Sequence, residues 1–370
     1  MDLKRIENVS FNQNCLIFFD IPSQSSELNL LKFFIERLIE TIEFLKLKNI
    51  SIHCVPIFVK ENQISKEIDD EFFQLVEKEL SQYIPTKSTD SIAQTQNLKN
   101  EKQNVVLLHP KLFSFDWNSI NSIQYENFVI NSYKFFDYFE ASKTKINKSQ
   151  FCISSEIAES MELLDQLSKA TLKPKVGIFG GTQIQSTIEF LDKKVKLFQT
   201  IILSGSIGIT ALKANGLNVG NSPYSKEEIS NLFQMINKAN FEECEVELPV
   251  DHIVVEKISP KSSSKISPRE ISNPFIAIDI GPKSIQKYEQ ILKQANFILF
   301  HAPVGLIELE KGRKGTLELL KIIQKNKKTS IITGNKLCDF CLENKISLKL
   351  IPDFEFILNY LNQSSGFFKN

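Results

Sequence analysis

Between Pro274 and Thr316 the chain switches twice between strand-like and helix-like patterns, and the order of those switches limits what it can fold into. Ile276, Ala277, Ile278 and Ile280 form a short apolar run that Gly281-Pro282 ends abruptly, the pattern of a strand followed by a turn. Ser284 is placed to cap a helix running to Ala295, with Ile285, Tyr288, Ile291 and Leu292 on its apolar face. Phe297 to Phe300 is uninterrupted apolar sequence, as in a strand buried on both faces of a parallel sheet. His301-Ala302-Pro303 breaks that run at the carboxyl end of the expected strand, where open α/β sheets place their ligands.

The same alternation runs through the rest of the chain. Cys15 to Phe19, Ile50 to Phe58 and Val105 to Leu108 read as strands, and Glu27 to Lys46 and Glu71 to Tyr83 as helices. Tyr125 to Val129 and Phe135 to Phe139 are apolar patches of either type. Lys87 to Gln103 is polar and aperiodic, the pattern of a surface loop. Ser154 to Leu172 is an amphipathic helix with Ser154 or Ser155 at its cap. Val176 to Phe179, Thr200 to Leu203, Glu245 to Leu248, Ile253 to Val255 and Ser330 to Ile332 supply further strands. Ile258 to Ser272, with S-P-K-S-S-S-K, reads as an exposed loop.

At 370 residues the chain is long enough for two domains with separate cores. Lys+Arg and Asp+Glu are both 44, so no overall basic surplus points to nucleic acid or an acidic membrane. No stretch approaches the ~18 apolar residues of a membrane span. The amino terminus shows neither a secretory apolar core nor an Arg-rich transit pattern. The six cysteines are scattered, which suits buried thiols in a reducing compartment, and Cys338-Asp339-Phe340-Cys341 has redox-motif spacing without a second pair. The expected location is the cytoplasm, with a cytoskeletal or other large complex as one setting. Only 13 residues are glycine, few for a chain whose phosphate loops need close backbone approach.

D-I-G-P-K-S (Asp279 to Ser284), A-P-V-G-L-I-E (Ala302 to Glu308) and K-G-T (Lys314 to Thr316) resemble the carboxy-terminal domain of the phosphoglycerate kinase family. Gly177 to Gly181 (G-I-F-G-G), Thr210 to Ser222 (T-A-L-K-A-N-G-L-N-V-G-N-S) and Leu248 to Asp251 (L-P-V-D) resemble it in the same order. An ordered set of motifs is far more specific than one glycine motif. The resemblance implies an α/β protein of two doubly wound, mainly parallel sheets. Residues 1–153 would form the triose-phosphate domain, 154–173 an inter-domain helix, 174–351 the nucleotide domain and 352–370 a C-terminal segment. It also implies phosphoryl transfer between a three-carbon acyl phosphate and a nucleotide, which needs cations, a metal and backbone donors around the moving group.

Several positions depart from that chemistry. The family's G-G-A-K-V-x-x-K is similar to Gly180-Gly181-Thr182-Gln183-Ile184-Gln185-Ser186-Thr187, with Gln183 and Thr187 at the lysines. Its G-G-G-D falls on Thr333-Gly334-Asn335-Lys336, which puts an ammonium at the magnesium aspartate. Its later glycine triplet falls on Pro352-Asp353-Phe354. On the triose-phosphate side Phe18 stands at an acid, Pro56 to Lys60 replaces a histidine-bearing segment, and Leu112 and Asn147 stand at arginines. Lys111, Lys143 and Lys145 supply some nearby positive charge.

Gly180, Gly181, Gly205, Pro303, Gly305, Glu308 and Gly334 keep the family pattern, either as turns of the fold or as a residual ATP or ADP pocket without magnesium. His301 reads as a structural residue or as a base. The leading expectation is therefore a catalytically inactive relative, a pseudoenzyme acting as a structural or protein-binding subunit of a larger assembly, with no bound cofactor. A nucleotide-binding regulator and a weakly active phosphoglycerate kinase are the alternatives. Phe18, Phe34, Ile57, Leu112 and Phe354 suggest an apolar cleft wall for a partner. Phe354, Phe356, Ile357, Tyr360, Leu361, Phe367 and Phe368 in the tail call for cover, from a partner or from the chain itself.

Overall fold

The computed structural model describes residues 4–11, 13–22, 27–57, 59–60, 63–64, 70–98, 102, 104–113, 124–135 and 150–362, with side chains at all but 59, 60, 63, 64, 111, 113 and 170. It divides into two compact units, 1–164 with 355–370, and 165–354.

In the first unit β1 (Lys4–Arg5), β2 (Asn14–Asp20), β3 (Ser51–Ile57), β6 (Thr86–Thr89), β7 (Val105–Leu108), β8 (Asn127–Asn131) and β9 (Phe151–Ile153) form one parallel sheet, ordered β1-β9-β8-β2-β3-β7-β6. Two-residue strands β4 (Val59–Lys60) and β5 (Gln63–Ile64) make a separate antiparallel hairpin. Strands β2, β3 and β7 are buried along their whole length, which accounts for apolar runs in place of alternation. Helix Leu28–Lys46 covers one face with Leu31, Ile35, Leu38, Ile42 and Leu45, which join Ile17, Phe19 and Cys54 in the core. The polar stretch from Lys87 to Gln103 is not a continuous loop. It contains edge strand β6 and helix Ile92–Asn97, capped by the Ser91 hydroxyl, which accepts the Gln94 amide.

The second unit has its own parallel sheet of β10 (Lys175–Phe179), β11 (Thr200–Leu203), β12 (Glu245–Glu247), β16 (Phe297–His301), β17 (Thr329–Thr333) and β18 (Leu350–Ile351), ordered β12-β11-β10-β16-β17-β18. Beside it β13 (Asp251–Val255), β14 (Ser264–Pro268) and β15 (Ile276–Ile280) form a small antiparallel sheet, ordered β14-β13-β15. The Ile276 strand thus belongs to this small sheet, and Ile258 to Ser272 contains a strand where the sequence reads as loop. Ser284 is not a helix cap either: helix Pro282–Gln294 starts after Gly281, and Pro282 occupies its first turn. The Ser284 hydroxyl instead donates to Asp251 and accepts its amide, tying the helix to β13. Ser154 does cap helix Ser155–Ser168, its hydroxyl accepting the Ile157 amide at 3.5 Å.

The tail folds onto its own chain. Helix Phe354–Asn362 buries Phe354, Phe356 and Ile357, and within the first unit the Phe356 ring meets Tyr133 edge-on at 5.1 Å. Phe367 and Phe368 lie outside the described residues. No helix among the described residues is long and apolar enough to cross a membrane.

Candidate functional site

In the second unit the strand order reverses between β10 and β16, and the sheet's crevice opens at their carboxyl ends. Register puts the last residues of five strands in one line: Leu203, Phe179, His301, Thr333 and Ile351. The segments that follow carry Gly205, Gly180-Gly181, Pro303 to Glu308, Gly334 to Lys336 and Phe354. Motifs far apart in sequence therefore meet along one edge.

The glycines at this edge are there for contact. A side chain at Gly180 would lie 2.1 Å from the Pro303 carbonyl oxygen, and one at Gly205 would lie 2.9 Å from the Gly181 nitrogen. Gly181, Gly205 and Gly334 also have left-handed backbones, with φ of 70°, 57° and 95°. Their neighbours consume the amide donors: Gly180 N–H donates to the His301 carbonyl, Gly181 N–H to that of Pro303, and Gly334 N–H to that of Pro352. Ala302 shares the left-handed region at φ 61°, a strained place for a residue with a Cβ.

A second cluster explains why D-I-G-P-K-S, A-P-V-G and K-G-T occur together. The Asp279 carboxylate is buried, accepting the Gly315 amide at 2.6 Å and the Ile280 amide at 2.9 Å. Side chains at Gly305 or Gly315 would strike it at 2.4 and 2.3 Å. The Thr316 hydroxyl accepts the Val304 amide at 3.2 Å, closing the loop. Sequence reasoning singled out Gly305 and missed Asp279, although the three motifs mark the carboxylate and the two gaps that admit it.

Burial raises the Asp279 carboxyl to about 7, against the opposing pull of the Gly315 and Ile280 amides and Lys314. A raised carboxyl pKa means the folded state holds the proton more tightly. Its contribution to stability is therefore full below the ordinary value of 3.8 and is lost as pH rises through about 7. Unfolding free energies from urea titration, wild type minus Asp279→Asn, are expected to fall over that window by a few kcal/mol, at about 1.4 per pKa unit. A difference that stays flat with pH contradicts this.

The positions that depart from the family resemblance have the following surroundings. Gln183 is exposed, whereas Thr187 is buried with its hydroxyl donating to the Gln183 carbonyl at 2.7 Å. Lys336 Nζ donates to Glu308 Oε1 at 2.5 Å. Partial burial pulls the Glu308 carboxyl up, but the Lys336 hydrogen bond and charge, with a backbone contact, leave it below its ordinary value. Both side chains are more than half exposed, so the pair adds little stability. Phe354 lies flat on the His301 imidazole, ring centroids 3.8 Å apart and planes within 15°, and meets Phe190 edge-on at 5.4 Å. His301 is buried, and desolvation lowers its pKa to about 4, so it is neutral at pH 7. An aromatic stack accounts for its position; it is not placed as a solvent-facing base.

In the first unit Phe18 packs on Phe135 at 4.8 Å and Phe128 at 6.4 Å. Phe34, Ile57 and Leu112 are buried as well. Phe18 and Phe354 are buried too. Asp20 is buried, accepting the Ser132 hydroxyl at 2.6 Å and the Tyr133 amide at 2.7 Å. Asn147, Lys143, Lys145 and Phe58 lie outside the described residues, as does the Lys111 side chain. Cys338 and Cys341 are buried free thiols whose pKa burial pushes up, that of Cys341 to about 12.

A sequence profile of phosphoglycerate kinase matches residues 62–350, most of the chain. The chain belongs to the phosphoglycerate kinase family. The phosphoglycerate kinase of Leptospira biflexa is 31% identical over 177 residues, 48% of this chain and 45% of that relative. That of Limosilactobacillus reuteri is 32% identical over 151 residues, 41% of this chain and 37% of that relative. The matched stretch thus spans less than half the length of these curated relatives. Phosphoglycerate kinase structures from Coxiella burnetii and Pyrococcus horikoshii superpose with a TM-score of 0.76 each. They cover 97% and 98% of this chain and 96% of their own, at 20% and 14% identity. The phosphoglycerate-kinase fold, two mainly parallel α/β units, is therefore present along nearly the whole chain, including the first unit, where the sequence motifs have faded.

Proposed function

We propose that this member of the phosphoglycerate kinase family does not transfer phosphoryl groups at an enzyme's rate and serves as a structural or protein-binding subunit. The observation that carries the reading is the Lys336–Glu308 ion pair. By the family resemblance Lys336 stands at the magnesium aspartate and Glu308 at the ribose contact. An ammonium donating to that glutamate cannot coordinate a cation, so the residues present do not fit the metal. Gln183 and the internally bonded Thr187 supply no charge where the family has lysines. The Phe354–His301 stack fills the neighbouring strand ends with apolar ring.

A second reading, a weakly active phosphoglycerate kinase, draws on the family match and the named relatives, which taken alone favour it over a non-catalytic role. The glycine-lined crevice also keeps its backbone form. An assay of ATP formation from 1,3-bisphosphoglycerate and ADP separates the two readings. No detectable turnover supports the first, and reproducible ATP formation above an enzyme-free blank establishes the second in its place.

A further inference from the structure

Two Ser-Pro-basic tripeptides bracket the serine-rich stretch, Ser259-Pro260-Lys261 and Ser267-Pro268-Arg269. In sequence they are equivalent offers to a proline-directed protein kinase. Proline fixes its own φ, removes an N–H and holds the preceding residue extended, which presents that residue's hydroxyl to a kinase cleft.

The fold separates them. Ser267 lies within β14, paired with His252 of β13, and is buried with its hydroxyl donating to the Glu270 carbonyl at 3.3 Å. Reaching it requires stripping β14 from the sheet. Ser259 lies in the turn before β14, outside any strand and partly exposed, with Pro260 and Lys261 exposed beside it. The turn is already formed: the Ser262 amide donates to the Ser259 carbonyl at 3.1 Å, and the Lys261 amide donates to the Ser259 hydroxyl at 3.3 Å.

The turn also holds a cation. Lys311 Nζ reaches across from the segment following Glu308 and donates to the Pro260 carbonyl at 3.1 Å and to the Ser262 carbonyl. An ammonium has three donors, so a third remains for an anion added here. Lys257 and Lys261 are exposed on the same turn, with Glu256 and Glu310 the adjoining acids.

We propose that Ser259 is a phosphorylation site, and that its phosphate is held by the Lys261 amide and the Lys311 ammonium. In the transfer, Ser259 Oγ attacks the γ-phosphorus of a nucleoside triphosphate bound to a separate protein kinase. The Oγ–P bond forms and the bond from that phosphorus to the β,γ-bridging oxygen breaks. The nucleoside diphosphate leaves, and the hydroxyl proton passes to the kinase's catalytic carboxylate. The new group brings nearly two negative charges and strong acceptors to a site with cationic donors in place. It would pin the turn to Glu310–Gly312, whose Gly312 packs on the Leu306 carbonyl of the loop that carries Glu308.

The test uses the full-length folded protein, a cyclin-dependent-type proline-directed kinase and magnesium ATP, with sites mapped by mass spectrometry. Phosphate is expected at Ser259, with incorporation falling about tenfold or more in Ser259→Ala and unchanged in Ser267→Ala. Phosphate mainly at Ser267, or none on the folded chain, overturns the assignment. Phosphorus NMR then titrates the phosphoserine. Its second pKa, about 6 when free, is expected about half a unit lower in the folded protein than in the same protein in urea, and to return towards the free value in Lys311→Gln. Equal values in folded wild type, folded Lys311→Gln and the unfolded chain overturn the role given to Lys311.

Discussion

Given 1,3-bisphosphoglycerate and magnesium ADP, the purified protein is expected to make ATP far below the roughly 1–1000 per second of ordinary enzymes. Phosphoryl transfer depends on charges already aimed at the oxygens of the moving group, and removing one such donor costs about 3–4 kcal/mol of transition-state stabilisation. By the family resemblance the uncharged Gln183 and Thr187 stand where the family has two lysines, and Lys336 stands at its metal position, so on the proposed reading those charges are lost. Thr187 cannot compensate by rotating outward, because it is buried and its hydroxyl is bonded to the Gln183 carbonyl. Two or three such losses together correspond to a drop of about 10⁴-fold or more. A turnover number of about 1 per second, followed as ATP by coupled spectrophotometry, refutes this expectation.

Phe354→Ala is expected to destabilise the second unit by about 3–5 kcal/mol, the range for emptying a buried aromatic site. The ring is covered by His301 on one side and Phe190 on another, and Phe190 itself packs on Phe179 and Phe198. The neighbours are held by β10, β16 and the helix Ile184–Lys194, so they cannot collapse fully into the space. Opening that side of His301 to water should also raise its pKa from about 4 towards the ordinary 6.5. Urea unfolding gives the first quantity and histidine NMR titration the second. A loss under about 1 kcal/mol with an unmoved His301 would mean that the stack does not hold this edge together.

What the sequence disclosed follows from how each element meets water. Strands β2, β7, β10, β11 and β16 lie inside parallel sheets, so burial on both faces writes itself as an unbroken apolar run. Strands β6 and β14 were illegible because most of their side chains face solvent, leaving Thr-Lys-Ser-Thr and Ser-Lys-Ile-Ser-Pro to look like loop. Ser284 looked like a cap because its residue type suits one. Only the fold brings Asp251 to it from 33 positions away.

The candidate site was legible as a list of positions and illegible as a set of contacts. Lys336 could be read as a misplaced charge, but its pairing with Glu308 spans 28 residues. Phe354 read as an intruder in a glycine triplet, and its ring partner His301 read as an isolated histidine. They form one stack because β16 and β18 are both neighbours of β17 and end in register. The apolar tail posed a choice between partner and core. For Phe354, Phe356 and Ile357 the answer is core.

The most direct measurement of the central claim is the melting temperature of the intact protein with ADP, taken with and without magnesium. A ligand that binds only the folded state raises stability by about 2.7 kcal/mol at a hundredfold excess over its dissociation constant. On the proposed reading, Lys336, at the position the family resemblance gives to the metal aspartate, donates to Glu308, and adding magnesium is expected to leave the melting temperature in ADP unchanged. A rise that needs both ADP and magnesium, and grows with the logarithm of nucleotide concentration, would contradict it.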